Sequence, residues 1–265
     1  MSLTSYHFTS NQQVDQPLTT IVQSPFRCRF AYARAGETAL YKENNQDFLA
    51  FRIDENALSF IMCDGVSLSY RGDFAAHFLG THLLNWISAT GHAEWNEASF
   101  HEYLHSLREC ASEQMSRLAV PSDLPLLLRD VLEDKKRIGS ETMFICGRVD
   151  VFNGIHPYHR IWLAWHGDVR LRLWQHGQES GEFLGGSNST RQRWSAARGL
   201  IGGRACTWQQ QVEGRIPSRV LVYTDGFSDL DNRQDPPKDE QLRRKLDHTN
   251  GEWLGDDASF LDIIW

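Results

Sequence analysis

The sequence predicts an α+β fold, because segments with strand and helix periodicity occur in separate blocks. Alternating apolar residues from Phe26 onward indicate strands as far as Asp64. Apolar residues at helical spacing then continue to about residue 132, and strand patterns return from residue 141 to the C-terminus. Blocks of strands and helices of this kind are typical of α+β folds and not of regular β-α-β alternation.

The elements are predicted in chain order from these periods and from the turn residues between them. The first strands begin at Phe26, at Asp47 ("DFLAFRID") and at Ala57 ("ALSFIMCD"). Helices follow at 73–88 and 98–118. A third helix is expected from near Ser122, with Pro125 in its first turn and a buried apolar face made of Leu124, Leu127, Leu128, Val131 and Leu132. The later strands are expected at 141–151, 160–166, 168–175, 219–224 and 259–265.

Length and composition favour a single large domain. The chain has 265 residues, of which 41% are hydrophobic and 23% are charged. We expect residues 25–265 to form one domain and the Gln-, Thr- and Ser-rich residues 1–24 to form a polar, partly disordered lead. The glycine-rich segment 177–215 is expected to be a long, partly helical insertion.

Charge and cysteine content exclude some classes of function. A net charge of −7 argues against binding to nucleic acids or anionic membranes, which requires a basic surface. No apolar run is long enough to cross a bilayer, and the N-terminus lacks the features of a secretory signal. The five cysteines are odd in number and scattered, so we expect reduced core residues in a cytoplasmic protein.

Several predicted strands begin or end on an aspartate. Asp64 and Asp225 each end an apolar strand and are followed by glycine, and Asp168 also follows a strand. Asp47 and the pair Asp256-Asp257 precede strands. If these strands pack together, the carboxylates converge and repel one another, and hard divalent cations are their natural partners. Asp-Gly pairs are also common turn formers, so the pattern leaves both interpretations open.

The motifs in series resemble a known family. In order, the chain contains "KENNQD", "FIMCDG", "GSETMFICGRV", "WHGDVRLRLW", "SAARGLIGG", "RVLVYTDGFSD" and "DDASFLDII". This series resembles the metal-dependent protein phosphatases of type 2C in their bacterial form, from about residue 26 to residue 265. The resemblance implies a sandwich of two antiparallel β-sheets flanked by α-helices, with a binuclear metal site at one edge.

The resemblance also implies roles for particular residues. Asp64 would bridge two Mn or Mg ions, and the carbonyl of Gly65 would bind one of them. Asp225 and Asp256 would hold the other ion, with Asp47 as a ligand directly or through water. The catalytic set is therefore Asp64, Asp225 and Asp256, while Asp229 and Asp257 are possible further acidic neighbours.

Some positions depart from the family pattern. Lys42 stands where the family has its phosphate-binding arginine, and Arg34 is a possible substitute. Gln46 replaces an acid in the first motif. Lys136 replaces another acid, so the resemblance gives little support for a third ion. The motif that contains Asp168 is more often architectural than catalytic.

The implied activity is hydrolysis of phosphoserine and phosphothreonine in proteins by a metal-activated hydroxide. The expected partner is a phosphoprotein, such as a substrate of a Ser/Thr kinase. The segment 177–215 lies where the family carries a flap. It contains four arginines that either attract acidic phosphopeptides or belong to a solvated flexible loop, namely Arg191, Arg193, Arg198 and Arg204. Two alternatives are a catalytically weak relative that binds phosphoproteins or regulates, and a metal phosphoesterase of small molecules.

Overall fold

The computed structural model describes residues 5–89, 96–152, 158–175, 177–180, 189–213, 218–246 and 254–265. The strands are β1 (Tyr6–Thr9), β2 (Gln16–Gln23), β3 (Phe26–Ala33), β4 (Phe48–Asp54), β5 (Ala57–Gly65), β6 (Glu141–Asp150), β7 (Tyr158–His166), β8 (Arg170–Gln175), β9 (Gln178–Glu179), β10 (Arg193–Ser195), β11 (Gly199–Ile201), β12 (Cys206–Glu213), β13 (Ser218–Tyr223) and β14 (Ala258–Ile264). The α-helices are α1 (Gly36–Leu40), α2 (Gly72–Ala89), α3 (Glu97–Ser116), α4 (Leu126–Ile138) and α5 (Asp239–Leu246), and a 3-10 helix spans Asp225–Leu230.

Two antiparallel sheets form a sandwich, as the sequence motifs implied. The first sheet has eight strands, six of which follow the order β1-β4-β5-β6-β10-β11. The strand β7 also pairs with β6, and β12 pairs with β7. The second sheet has six strands in the order β2-β3-β14-β13-β8-β9. The β7–β8 turn connects the two sheets next to the ends of β5 and β13. The α+β prediction is confirmed.

Three cores hold these layers together. Alternate residues of β5, including Phe60 and Met62, enter the core between the sheets. Their neighbours Ile61 and Cys63 enter a second core under α2 and α3. A third core lies between the six-stranded sheet, the 3-10 helix and α5. Because β5 is buried on both faces, its sequence is a continuous apolar run and not an alternating one.

The close approach of α2 to the first sheet depends on a glycine. A Cβ atom at Gly80 would lie 2.2 Å from a ring carbon of Phe48, which is the first residue of β4. The helix therefore lies directly on the strand that follows Asp47.

The N-terminal residues correct the prediction of a partly disordered lead. They form β1, which pairs with β4, and β2, which pairs with β3. Both strands alternate between half-buried and exposed residues, and Tyr6, Phe8 and Ile21 pack against the core between the sheets. Both are edge strands of their sheets, and one face of each strand is exposed to water, which explains their polar composition.

The segment 177–215 also differs from its prediction. Its described residues, 177–180 and 189–213, form strands and turns and contain no helix. The strand β12 pairs with β7 along its whole length, and its residues Cys206 and Trp208 pack on the core between the sheets. The other residues of this segment lie outside the described ranges.

Three of the five cysteines are core residues as expected, namely Cys28, Cys63 and Cys146, and all five thiols are free. Cys110 is exposed on α3 and Cys206 is partly exposed, which corrects the expectation for these two. Among the described helices, none has the length and apolar composition needed to span a bilayer.

The helix α4 begins later than predicted and buries fewer apolar side chains than predicted. Pro125 is its N-cap residue, and Leu126, Leu127, Leu128 and Val131 are exposed, while only Leu124 and Leu132 are partly buried. The reason is that α2 and α3 already cover this face of the first sheet. The helix α4 is instead attached at its C-terminal end, where the ammonium of Lys136 donates to the carbonyls of Ser116 and Leu118.

The different burial of α3 and α4 predicts that leucine-to-alanine substitutions in the two helices change the free energy of unfolding by different amounts. Leu127→Ala on α4 should change the free energy of unfolding by about 0.5 kcal/mol or less, because the side chain is 75% exposed. Leu104→Ala on α3, where the side chain is 1% exposed, should cost about 2–5 kcal/mol. Urea denaturation of both variants measures this difference, and a loss of more than 2 kcal/mol in Leu127→Ala would show that α4 packs as the sequence suggested.

Candidate metal centre

Two of the predicted carboxylates lie side by side on the first sheet. Asp64 is near the end of β5, and Asp47 immediately precedes β4. The β4–β5 register pairs Phe48 with Cys63, so Asp47 is opposite Asp64. Leu49 and Met62 point into the core between the sheets, and by alternation Asp47 and Asp64 are on that same face.

The second sheet brings three more carboxylates to the same end of the sandwich. Asp225 follows β13, and Asp256 lies shortly before β14. Tyr223 pairs with both Phe260 of β14 and Arg170 of β8, so Asp168, just before β8, also lies at this end. The structure therefore brings Asp47, Asp64, Asp168, Asp225 and Asp256 to one end of the sandwich, as the pattern of strand ends suggested.

The surroundings of these side chains disfavour their anionic forms. Burial, followed by the charges of Asp47, Asp225, Asp168 and Asp256, raises the pKa of Asp64 well above its usual range. Burial and the charge of Asp257 raise the pKa of Asp47 in the same way, with a smaller opposing effect from hydrogen bonds. Desolvation and then the charge of Asp225 raise the pKa of Asp256. Burial and neighbouring carboxylates therefore destabilise the anionic forms of Asp47, Asp64 and Asp256.

Asp168 has a larger part in this cluster than its architectural motif suggested. Burial raises its pKa, the charge of Asp225 adds to this effect, and the charge of Arg170 opposes it. The guanidinium of Arg170 is 3.7 Å from Oδ2 of Asp168, whereas the buried Oδ1 has no hydrogen-bond partner in the described part of the chain. The sequence signal was present, because Asp168 also follows an apolar strand.

A threonine that the sequence reasoning missed joins the two sheets at this point. The hydroxyl of Thr224 donates to Oδ2 of Asp47 at 2.8 Å, and the same hydroxyl accepts from the N–H of Ser259 at 2.9 Å. Thr224 is fully buried. It immediately precedes Asp225 in "YTDG", where a β-branched residue at the end of a strand was the available signal.

Two predicted acidic neighbours have other roles in the structure. Asp257 is 4% exposed and accepts hydrogen bonds from the N–H of Ala35 at 2.7 Å and from the N–H of Gln46 at 2.6 Å. It therefore holds the loop before β4 against the second sheet. Asp229 is exposed and forms an ion pair with Lys245 of α5.

The backbone around Gly65 is too crowded for a side chain. A Cβ atom there would lie 2.6 Å from the carbonyl of Gly72 and 2.7 Å from the carbonyl oxygen of Gln46. The N–H of Gly65 donates to that same Gln46 oxygen at 3.1 Å. The role of the Gly65 carbonyl as a metal ligand stays a prediction, but glycine is required for this close packing.

The predicted phosphate-binding residue is not held at the centre. Lys42 is exposed in the turn after α1, with a left-handed φ of 55°, and in the described part of the chain its ammonium makes no ion pair or hydrogen bond. Its proposed substitute, Arg34, is bound to Asp15 at 2.9 Å. Neither side chain is positioned by contacts with the carboxylate cluster.

The residues present fit a divalent cation in their chemistry. All five carboxylates offer oxygen ligands, and buried oxygens of Asp168 and Gln46 have no hydrogen-bond partner among the described residues. Within the described ranges, however, no three acidic, His or Cys side chains already lie close enough together to hold one ion. The cluster is thus an arrangement of mutually repelling carboxylates whose chemistry suits a divalent cation.

Comparison with known proteins supports the fold. The sequence matches no protein-family model and no curated protein. Solved structures do match, including the serine/threonine phosphatase Stp1 from Staphylococcus aureus, with 12% identity over 97% of this chain and 99% of that chain and a TM-score of 0.56. RsbX in complex with magnesium matches with 12% identity over 93% and 98% of the two chains and a TM-score of 0.54.

A third similar structure is the serine/threonine phosphatase of S. agalactiae. It has 15% identity over 90% of this chain and 98% of that chain, with a TM-score of 0.52. Sequence identities this low, over nearly the whole length of both chains, support a shared architecture but not a shared activity. This chain therefore has the fold of the metal-dependent protein phosphatases of type 2C, which its sequence motifs resemble.

Proposed function

We propose that this protein hydrolyses phosphoserine and phosphothreonine in proteins with the help of two Mn or Mg ions. The observation that carries the proposal is the convergence of Asp47, Asp64, Asp168, Asp225 and Asp256 from both sheets at one end of a type 2C fold. Such a cluster is costly for folding, so its presence calls for a functional reason.

The chain's own residues would position and hold the ions. The charges of both Asp47 on the first sheet and Asp225 on the second act on Asp64, which suits a ligand shared by two ions. The bond from Thr224 keeps Oδ2 of Asp47 in place. When bound, divalent cations would lower the pKa of a water molecule and neutralise the phosphoryl oxygens.

A second candidate function is phosphoprotein binding or regulation without efficient turnover. The exposed position of Lys42 favours it, since no contact with another described residue orients this cation toward a phosphoryl group. The retention of all the carboxylates favours the enzyme, because a binding module has no need for their repulsion. In either case we propose a cytoplasmic protein whose partner is a phosphoprotein, such as the substrate of a Ser/Thr kinase.

The first prediction concerns activity. A phosphoserine peptide should be hydrolysed in the presence of Mn, and Asp64→Ala or Asp225→Ala should lower kcat/KM by about 100-fold or more, because each removes a proposed metal ligand. The matched control is Asp54→Ala at the far, exposed end of β4, which should retain activity. Turnover of an aryl phosphate and of the peptide is measured with Mn and with chelator.

Three outcomes would contradict this proposal. Tight binding of the phosphopeptide without turnover would favour the regulatory alternative. Turnover of small phosphates alone would favour a small-molecule phosphoesterase. Activity that survives chelation and both substitutions would exclude the metal mechanism.

The second prediction concerns stability without metal. A raised carboxyl pKa means that the folded state binds the proton more tightly than the unfolded state, so this stability is present at acidic pH and is lost as the pH rises through the raised value. With chelator at pH 7.5, Asp64→Asn should therefore melt at a higher temperature than the wild type. One kcal/mol would give about 2–4 °C in a domain of this size.

Addition of Mn should reverse this order, because the wild type gains stability from binding and Asp64→Asn does not. Thermal denaturation with and without Mn measures both effects, and Asp54→Asn should match the wild type in each condition. A lower melting temperature for Asp64→Asn in chelator would show that the carboxylate is satisfied by the protein alone.

A further inference from the structure

A buried glutamate beside the metal centre binds two arginines. Glu141, the first residue of β6, is 3% exposed. Its Oε2 accepts from Nε of Arg193 on β10, and its Oε1 accepts from Nη2 of Arg198 at 2.5 Å, in the β10–β11 turn. One carboxylate thus holds two guanidinium groups, and the trio carries a net positive charge.

The sheet register places this trio on the same face as the catalytic carboxylates. Asp64 pairs with Met143, and Glu141 is two residues before Met143, so the side chains of Asp64 and Glu141 are on one face of the sheet. Ser195 pairs with Glu141, and Arg193 is two residues before Ser195 on that same face. Arg193 and Glu141 therefore project at the end of the sandwich where the carboxylates converge.

Backbone bonds connect Glu141 to the loop that follows Asp64 and Gly65. The N–H of Val66 donates to the carbonyl of Glu141 at 2.9 Å, and the N–H of Glu141 donates to Oγ of Ser69 at 3.1 Å. The hydroxyl of the next residue, Thr142, donates to the carbonyl of Asp64 at 2.8 Å. The position of the two guanidinium groups is consequently fixed relative to Asp64.

Both arginines keep capacity to bind an anion. The side chain of Arg198 is 49% exposed and that of Arg193 is 29% exposed. A guanidinium has five N–H donors, and among the described contacts Arg198 uses one of them on Glu141, while Arg193 uses one on Glu141 and one on the carbonyl of Thr190. Planar guanidinium groups with free donors are well suited to phosphate.

We propose that Arg193 and Arg198, held in place by Glu141, bind the phosphate group of a phosphorylated peptide beside the carboxylate cluster and take over the task that the sequence motif gave to Lys42. Glu141 is then a positioning residue. This inference rests on the proposed function for its biological meaning, but peptide binding can be measured without turnover.

The test compares three arginine variants of the same segment. Binding of a fluorescein-labelled phosphoserine peptide and of its unphosphorylated form is measured by anisotropy on the Asp225→Ala protein, which is expected to turn the peptide over too slowly to disturb the measurement. Arg198→Ala and Arg193→Ala should each weaken binding of the phosphorylated peptide about tenfold or more, since each removes a charged hydrogen-bond donor. The control Arg204→Ala removes a cation that pairs with Glu97 instead, and its affinity should stay within twofold.

A second comparison separates positioning from simple charge. Glu141→Gln removes a negative charge, which by itself would tighten binding of an anion. If Glu141 positions the arginines, the variant should weaken binding of the phosphorylated peptide, and in the protein with intact carboxylates it should raise KM more than it lowers kcat. Melting temperatures confirm that each variant is folded.

Equal affinity in Arg193→Ala, Arg198→Ala and Arg204→Ala would overturn the proposal, as would a Glu141→Gln variant that binds more tightly. Preferential phosphopeptide binding that depends on both arginines, in a protein with no Mn-dependent turnover, would support this inference while contradicting the proposed enzymatic activity. Mn-dependent turnover that is insensitive to substitution of both arginines would support the proposed enzymatic activity and contradict this inference.

Discussion

The structure at the candidate centre depends on two contacts that join the sheets where their carboxylates repel one another. The hydroxyl of Thr224 donates to Asp47, and the carboxylate of Asp257 accepts from the N–H of Gln46. Both contacts link the loop before β4 to the second sheet, and each offers a neutral donor to an anion. Without such donors, burial and mutual repulsion would separate Asp47 from the residues of β13 and β14. Neutral donors hold these anions in place without cancelling the charge of the cluster.

This arrangement explains why the centre is assembled only in part. The carboxylates converge, yet no three of the acidic, His or Cys side chains in the described ranges form a ready-made cation cage. A cage closed in the absence of a cation would bring several anions into contact in a region of low dielectric constant. The protein instead keeps these carboxylates near one another, and burial and mutual repulsion raise the pKa values of Asp47 and Asp64. A cation bound there would relieve this repulsion.

The sequence predicted those parts of the fold and the centre that depend on local patterns. The apolar runs that end on Asp64 and Asp225 located two strands and their end residues, because burial and turn chemistry act locally. Contacts between distant residues could not be read in this way. The bond between Thr224 and Asp47 spans 177 positions, and nothing near either residue indicates it. The leucines of α4 were misassigned for a similar reason, since helical periodicity does not reveal that α2 and α3 already cover the sheet.

The distribution of positive charge near the carboxylates bears on whether the protein is an enzyme or a phosphoprotein-binding module. Lys42 is exposed in a turn, and a lysine offers a point charge and not a planar pair of donors, which argues for weak orientation of a phosphoryl group by this residue. The four arginines noted in the segment 177–215 are not equivalent, however: Arg204 pairs with Glu97 on the surface, while Arg193 and Arg198 are held on a buried carboxylate next to the loop after Gly65. Two arginines on one carboxylate also occur at the buried Asp262, where the side chains of Arg29 and Arg219 are only 7% and 21% exposed. A second arginine, half exposed and on the side of the carboxylates, is better explained by an anionic ligand that both guanidinium groups approach together.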